Sequence, residues 1–170
     1  MTLYHFNNKK NKVKNKAEYI YSRIIHLSKE YIEKINYPFN KDFQLNFEIF
    51  SLFLIMYFKI SKELKYDQFK RTNIELMNIF TKDLENNFRE LGIGDMSIGK
   101  YVKTYIKKFY YRIKKLDSIY DSSNINEMND FLSILKNNNL SKEISNTIFI
   151  SYINLKNEMK NNKIGGYFIE

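Results

Sequence analysis

Apolar residues in this chain recur every three or four positions almost from end to end, and no long stretch alternates in the period of two that a half-buried strand requires. That periodicity predicts an all-α fold. Ile20, Ile24, Leu27, Tyr31 and Ile35 mark a first stripe, which leaves Arg23, His26, Glu30 and Glu33 on the polar face. Phe69, Leu76, Phe80, Leu84, Phe88 and Leu91 mark a second. Ile98, Val102, Tyr105, Ile106, Phe109, Ile113 and Leu116 mark a third, Ile125, Met128, Leu132 and Leu135 a fourth, and Ile144, Ile148, Tyr152, Leu155 and Met159 a fifth. Ahead of the second lies Ile49 to Phe58, apolar except for Ser51 and bounded by Glu48 and Lys59. A membrane-spanning helix needs about 20 apolar residues, so this run reads instead as the central buried helix. The connectors, Asn36 to Asp42 around Pro38, Lys65 to Asp67, Gly92 to Ser97, Asp121 to Asn124 and Asn137 to Ser141, are all short. Short connectors imply a single compact bundle of about six helices. The expected divisions are a basic N-terminal tail over residues 1–15, a helical domain over 16–166 ended by Gly165-Gly166, and a short C-terminal tail over 167–170.

Composition narrows the chemistry. The 170 residues include no Cys and only two His, His5 and His26, far apart in dissimilar contexts. Thiolate nucleophiles, sulfur-based zinc sites and disulfides are excluded, and a histidine dyad or metal site is disfavoured. No carboxylate pair has a spacing that specifies acid–base work, so no catalytic, metal-binding or cofactor-binding residues are assigned, and the chain is not read as an enzyme. The formal charge of +9 attracts phosphates and anionic lipid headgroups alike. It is carried by 24 Lys and only 4 Arg, amid 22 Asn and 23 Ile, a set favoured by AT-rich codons. Scarcity of the bidentate arginine argues against specific DNA recognition. A basic helical RNA- or ribosome-associated binding domain is the alternative that charge alone supports.

The start carries Lys9, Lys10, Lys12, Lys14 and Lys16 without an acid, and lacks the apolar run of a secretory signal. It reads as a solvated tail, on which Leu3, Tyr4 and Phe6 offer contact with an anionic membrane surface.

The densest stretch is Asp83 to Arg112. Gly94 to Lys100 there fits G-x-x-x-x-G-K, but it follows a helix and continues with Tyr101, so the phosphate-loop reading is set aside. Gly92, just past a periodic run, suits a left-handed helix cap, and Asp95 or Ser97 suits the cap of the next helix. Gly99 falls in that helix's first turn, where glycine costs about 1 kcal/mol relative to alanine, which implies close backbone approach by a neighbouring helix or a partner. Glu85 and Arg89 are spaced for an i,i+4 ion pair. From Lys100 to Lys115 come seven cations, Lys100, Lys103, Lys107, Lys108, Arg112, Lys114 and Lys115, and no acid until Asp117. They project opposite the apolar stripe, with Tyr110 and Tyr111 near the edges, as a docking surface for an acidic segment, RNA or lipid headgroups.

Glu85 to Lys100, ENNFRELGIGDMSIGK, followed by Val102-Lys103 and Phe109-Tyr110, resembles the motif of the ubiquinol-cytochrome c chaperone family, LREMGVGDLGVGKRVK and then FYGR. Phe47-Glu48 with Ser51-Leu52 resembles its F-E-L-x-S-L segment, and Ala17 to Ser28 its opening helix, with a weaker likeness at Tyr152 to Phe168. Phe53 stands where the family has histidine, and Tyr111 where it has glycine. The resemblance implies a non-enzymatic, all-helical assembly chaperone. It would bind newly made cytochrome b and support biogenesis of the ubiquinol-cytochrome c reductase, complex III, with the ribosome and an anionic membrane surface as further partners. It also implies an alphaproteobacterial protein, cytoplasmic and peripheral at the inner membrane, or in the mitochondrial matrix of a eukaryote. The expected partner-binding residues are Arg89, Glu90, Gly92, Gly94, Asp95, Gly99, Lys100, Lys103, Lys107, Tyr110 and Lys114.

Overall fold

The structure, a computed structural model, describes residues 2–34, 43–64, 67–133 and 141–161, with side chains over 12–33, 43–64, 69–132 and 145–161. Six helices follow in order, α1 (Thr2–Lys34), α2 (Phe43–Glu63), α3 (Asp67–Glu90), α4 (Asp95–Ser122), α5 (Ile125–Ser133) and α6 (Ser141–Lys160), and no strand occurs among the described residues. The all-α expectation and the helix count hold. Pro38, Asn137, Gly165-Gly166 and the tail over 167–170 lie outside the described residues, as do the side chains of Leu3, Tyr4, Phe6 and Ile144. Residues 2–15, read above as a tail, already have helical backbone in α1. Contacts group the chain into two compact units, Met1–Arg23 with Lys65–Arg112, and Ile24–Leu64 with Ile113–Glu170. Two of the three boundaries fall inside a helix, α1 and α4, and the third follows Leu64, just past α2.

The first unit packs α3 against its share of α1 and α4. Leu76, Phe80, Leu84 and Phe88 of α3 are buried, as are Ala17, Ile20 and Tyr21 of α1 and Ile98, Val102 and Phe109 of α4. The rings interlock: Phe80 lies 5.0 Å from Phe109, and Phe88 lies 5.2 Å from Tyr105 and 5.6 Å from Tyr101 between centroids. Such pairs contribute about 0.5–1.5 kcal/mol beyond area burial. Tyr21 resolves its buried hydroxyl by donating to Asp83 at 2.8 Å, and Lys16 sets its ammonium over the Phe69 ring.

The second unit is built on α2. This helix has 21 residues, twice the apolar run seen in the sequence, and is long and apolar enough to cross a membrane by length and composition. Yet 67% of that window is buried inside the protein, which makes it a core helix. Phe47, Ile49, Leu52 to Tyr57 and Ile60 are buried along it, with Tyr31 of α1 edge-on to Phe53. α5 and α2 both pack on α6. Asn124 starts α5: its side-chain oxygen accepts from the Asn126 and Glu127 backbone amides, and its side-chain nitrogen donates to the Glu127 carboxylate.

One cation sits inside this unit. Lys59 has a side chain only 7% exposed, yet it reaches Asp117 at 2.8 Å and Asp121 at 2.6 Å, one helical turn apart on α4. Burial disfavours its charge, but hydrogen bonds and the charges of the two carboxylates outweigh that and push the ammonium above its ordinary range. Asp117 is held low chiefly by its hydrogen bond to Lys59. Glu63, one turn along α2, is disfavoured by burial but is lowered overall by Lys156 and by the Tyr152 hydroxyl, which donates to it at 2.6 Å.

Candidate functional site

The corner between α3 and α4 is made by the main chain. Gly92 takes φ +79°, its amide donates to the Arg89 carbonyl at 2.9 Å, and the Ile93 amide donates to Phe88 at 3.0 Å. These two bonds form a complete Schellman ending, and a side chain at the left-handed position would be strained, so the glycine is required there. The next helix starts differently from expectation. Gly94, not Asp95 or Ser97, is the cap residue, since its carbonyl accepts from Ser97 at 2.8 Å and from Ile98 at 3.3 Å. Asp95 stands instead in the first turn of α4, where its charge complements the helix dipole. From there it accepts from Arg89 Nε at 3.2 Å, so Arg89 pairs across the corner and not with Glu85. That bridge is 54% and 85% exposed at its two ends and is worth about 1 kcal/mol at most.

All eleven expected partner-binding residues are exposed. Arg89 and Glu90 end α3, Gly92 and Gly94 form the turn, and Asp95, Gly99, Lys100, Lys103, Lys107, Tyr110 and Lys114 follow on α4. Leu91, read above as part of the apolar stripe, is 57% exposed because the helix ends at Glu90 and the turn rotates it outward. The close approach expected at Gly99 is not met within the fold. Among the described residues, no heavy atom outside its own helix lies within 4 Å of where a Cβ would stand. The bare backbone faces outward beside Met96 and Lys103, one turn away on either side.

The cations of α4 are not equivalent. Lys108 lies over the Tyr105 ring at 4.5 Å, and Arg112 donates to the Lys108 carbonyl, so both are engaged on the flank. Lys100, Lys103 and Lys107 stand outward within about 60° of arc, and none has an ion-pair partner among the described residues. Met96 and Tyr101 lie outside the expected set, which follows the glycines and the charge run. Met96 is fully exposed and Tyr101 is 45% exposed, so with Leu91 they make the corner partly apolar. No group of three or more His, Asp or Glu among the described residues is arranged to hold a metal.

The sequence profile of the ubiquinol-cytochrome C chaperone family matches residues 37–149, more than half of the chain and the whole of this corner. The chain belongs to that family. Among solved structures, the crystal structure of the Cbp3 homolog from Brucella abortus matches with a TM-score of 0.79 at 19% identity, covering 98% of this chain and 94% of that one. At that identity the likeness establishes a shared fold. A search of curated proteins returns no match.

Proposed function

We propose that this chaperone binds newly synthesised cytochrome b and supports its entry into the ubiquinol-cytochrome c reductase, without catalysing a reaction itself. The observation that carries the reading is the family match over residues 37–149, which takes in the α3–α4 corner. The corner suits the task. Its main-chain geometry is fixed by Gly92 and Gly94, while Leu91, Met96 and Tyr101 present apolar surface to solvent. A rigid turn loses little entropy when it binds, so exposed apolar groups on it translate efficiently into affinity. The client contact is assigned to Arg89 through Gly99 with Tyr101. An integral membrane client also implies that the chaperone works where that client is inserted, peripheral to the membrane on the side of synthesis.

The test is crosslinking of the tagged protein in native membranes, followed by mass spectrometry of captured proteins and an assay for co-purified RNA. Cytochrome b is expected, with a loss of roughly tenfold or more in Leu91→Asp/Met96→Asp at unchanged helicity. RNA without cytochrome b would replace this reading with that of an RNA-associated domain.

A further inference from the structure

The client contact leaves one surface unexplained, the outward strip of α4 from Lys100 to Tyr111 in the first unit. It carries Lys100, Lys103 and Lys107, without ion-pair partners among the described residues, then Tyr110 and Tyr111 at 57% and 60% exposure. No acid lies on α4 between Asp95 and Asp117.

A membrane-protein client is a poor fit to that charge. Loops of such proteins on the side of synthesis carry an excess of Lys and Arg, so strip and loops would repel. The surface beside those loops has the opposite sign, because anionic headgroups concentrate negative charge there and attract juxtaposed lysines. We infer that the outward Lys100–Tyr111 face of α4 docks on anionic bilayer headgroups, holding the chaperone at the membrane while the corner holds the client. The inference rests on the client being a membrane protein, as proposed above. Three features favour headgroups over RNA. The outward cations are all lysine, a flexible point charge suited to a diffuse anionic layer, whereas the planar guanidinium that grips single phosphates is missing from the strip. The tyrosines are amphipathic rings of the kind enriched at membrane interfaces. Finally, the strip is one convex helix face, about 17 Å from Lys100 to Tyr111, which matches a plane better than a splayed single strand.

The experiment is co-sedimentation of the purified full chain, without client, with phosphatidylcholine vesicles that contain or lack phosphatidylglycerol. Binding is expected only with phosphatidylglycerol, reduced at least about 100-fold in Lys100→Glu/Lys103→Glu/Lys107→Glu and less in Tyr110→Ser/Tyr111→Ser, with circular dichroism unchanged. No binding, equal binding to neutral vesicles, full binding by the lysine variant, or displacement from vesicles by an RNA oligonucleotide at equal phosphate would overturn the assignment. Crosslinking to cytochrome b in detergent separates the two proposals. Capture retained by the lysine variant supports the division between corner and strip, and capture lost would give the strip to the client. Vesicle binding without any capture by the wild type would sink the client reading and leave the lipid surface measured.

Discussion

Lys59 in α2 and Lys103 in α4 carry the same charge under opposite arrangements. Lys59 is enclosed and faces two carboxylates, whereas Lys103 stands in solvent with no acid within reach on its helix. A buried cation without compensation is too costly to persist, so the fold supplies Asp117 and Asp121. An exposed cation is under no such demand, and its lack of partners is therefore free to serve something outside the chain. The difference teaches that an ion-pair partner marks structural use of a lysine, and its absence on a whole face marks a surface.

The comparison breaks first at the acids. Asp117→Asn with Asp121→Asn leaves the Lys59 ammonium without its counter-charges, and a loss of about 1–3 kcal/mol in urea unfolding is expected. Lys59→Met should cost clearly less, since the two carboxylates are 40% and 64% exposed and water can take over. Equal costs would mean that the pair itself, not the enclosure of the cation, is the stabilising quantity.

Next comes pH. Glu63 and Asp117 sit below their ordinary values of 4.5 and 3.8 when folded. Their contribution is complete above those values and is lost as pH falls through the depressed ones. Lys59 is raised above 10.5, so its contribution is complete below that value and disappears only at stronger alkali. Thermal unfolding followed by circular dichroism should therefore show a melting temperature that drops below about pH 4, a fall the Asn variant reduces.

A smaller effect is expected at Gly99. With open space around its missing side chain, Gly99→Ala should stabilise the chain by about 0.5–1 kcal/mol. A stabilised variant with weaker client capture would show that a partner's backbone, not a neighbouring helix, uses the bare position. The smallest change is predicted for Lys103→Glu/Lys107→Glu, within about 0.5 kcal/mol of the wild type in the same unfolding assay. A larger loss would mean that the strip has a structural role and would blur the contrast with Lys59.

The helices other than α2 were legible because each buries one face, and burial imposes a period that a single sequence displays; α2, buried nearly all round, showed instead as a continuous apolar run. Gly92 was legible for a related reason, since only a left-handed residue closes that turn. Gly94 was not: Asp and Ser are the common caps, and Asp95 went instead to the dipole and to Arg89. The enclosure of Lys59 joins residues 58 positions apart, and nothing local announces such a pairing. Leu91 obeyed the stripe until the helix ended one residue before it. The division into two units could not be found by looking for linkers, because only the boundary after Leu64 meets a connector and the other two run through the uninterrupted helices α1 and α4. Of the candidate site, the charge pattern pointed to the lysines, whereas the apolar part of the corner needed the outward turn of Leu91 and Met96 to be seen.

The corner beside Met96 is closed by main-chain hydrogen bonds and the exposed Arg89–Asp95 bridge, and the fully exposed Met96 side chain takes no part in either. Since the chain contains no cysteine, Met96→Cys would create its single thiol, at a site where a nitroxide or fluorophore disturbs nothing beneath it. A probe there would report, by its mobility and its depth, whether this tip meets protein, lipid or water.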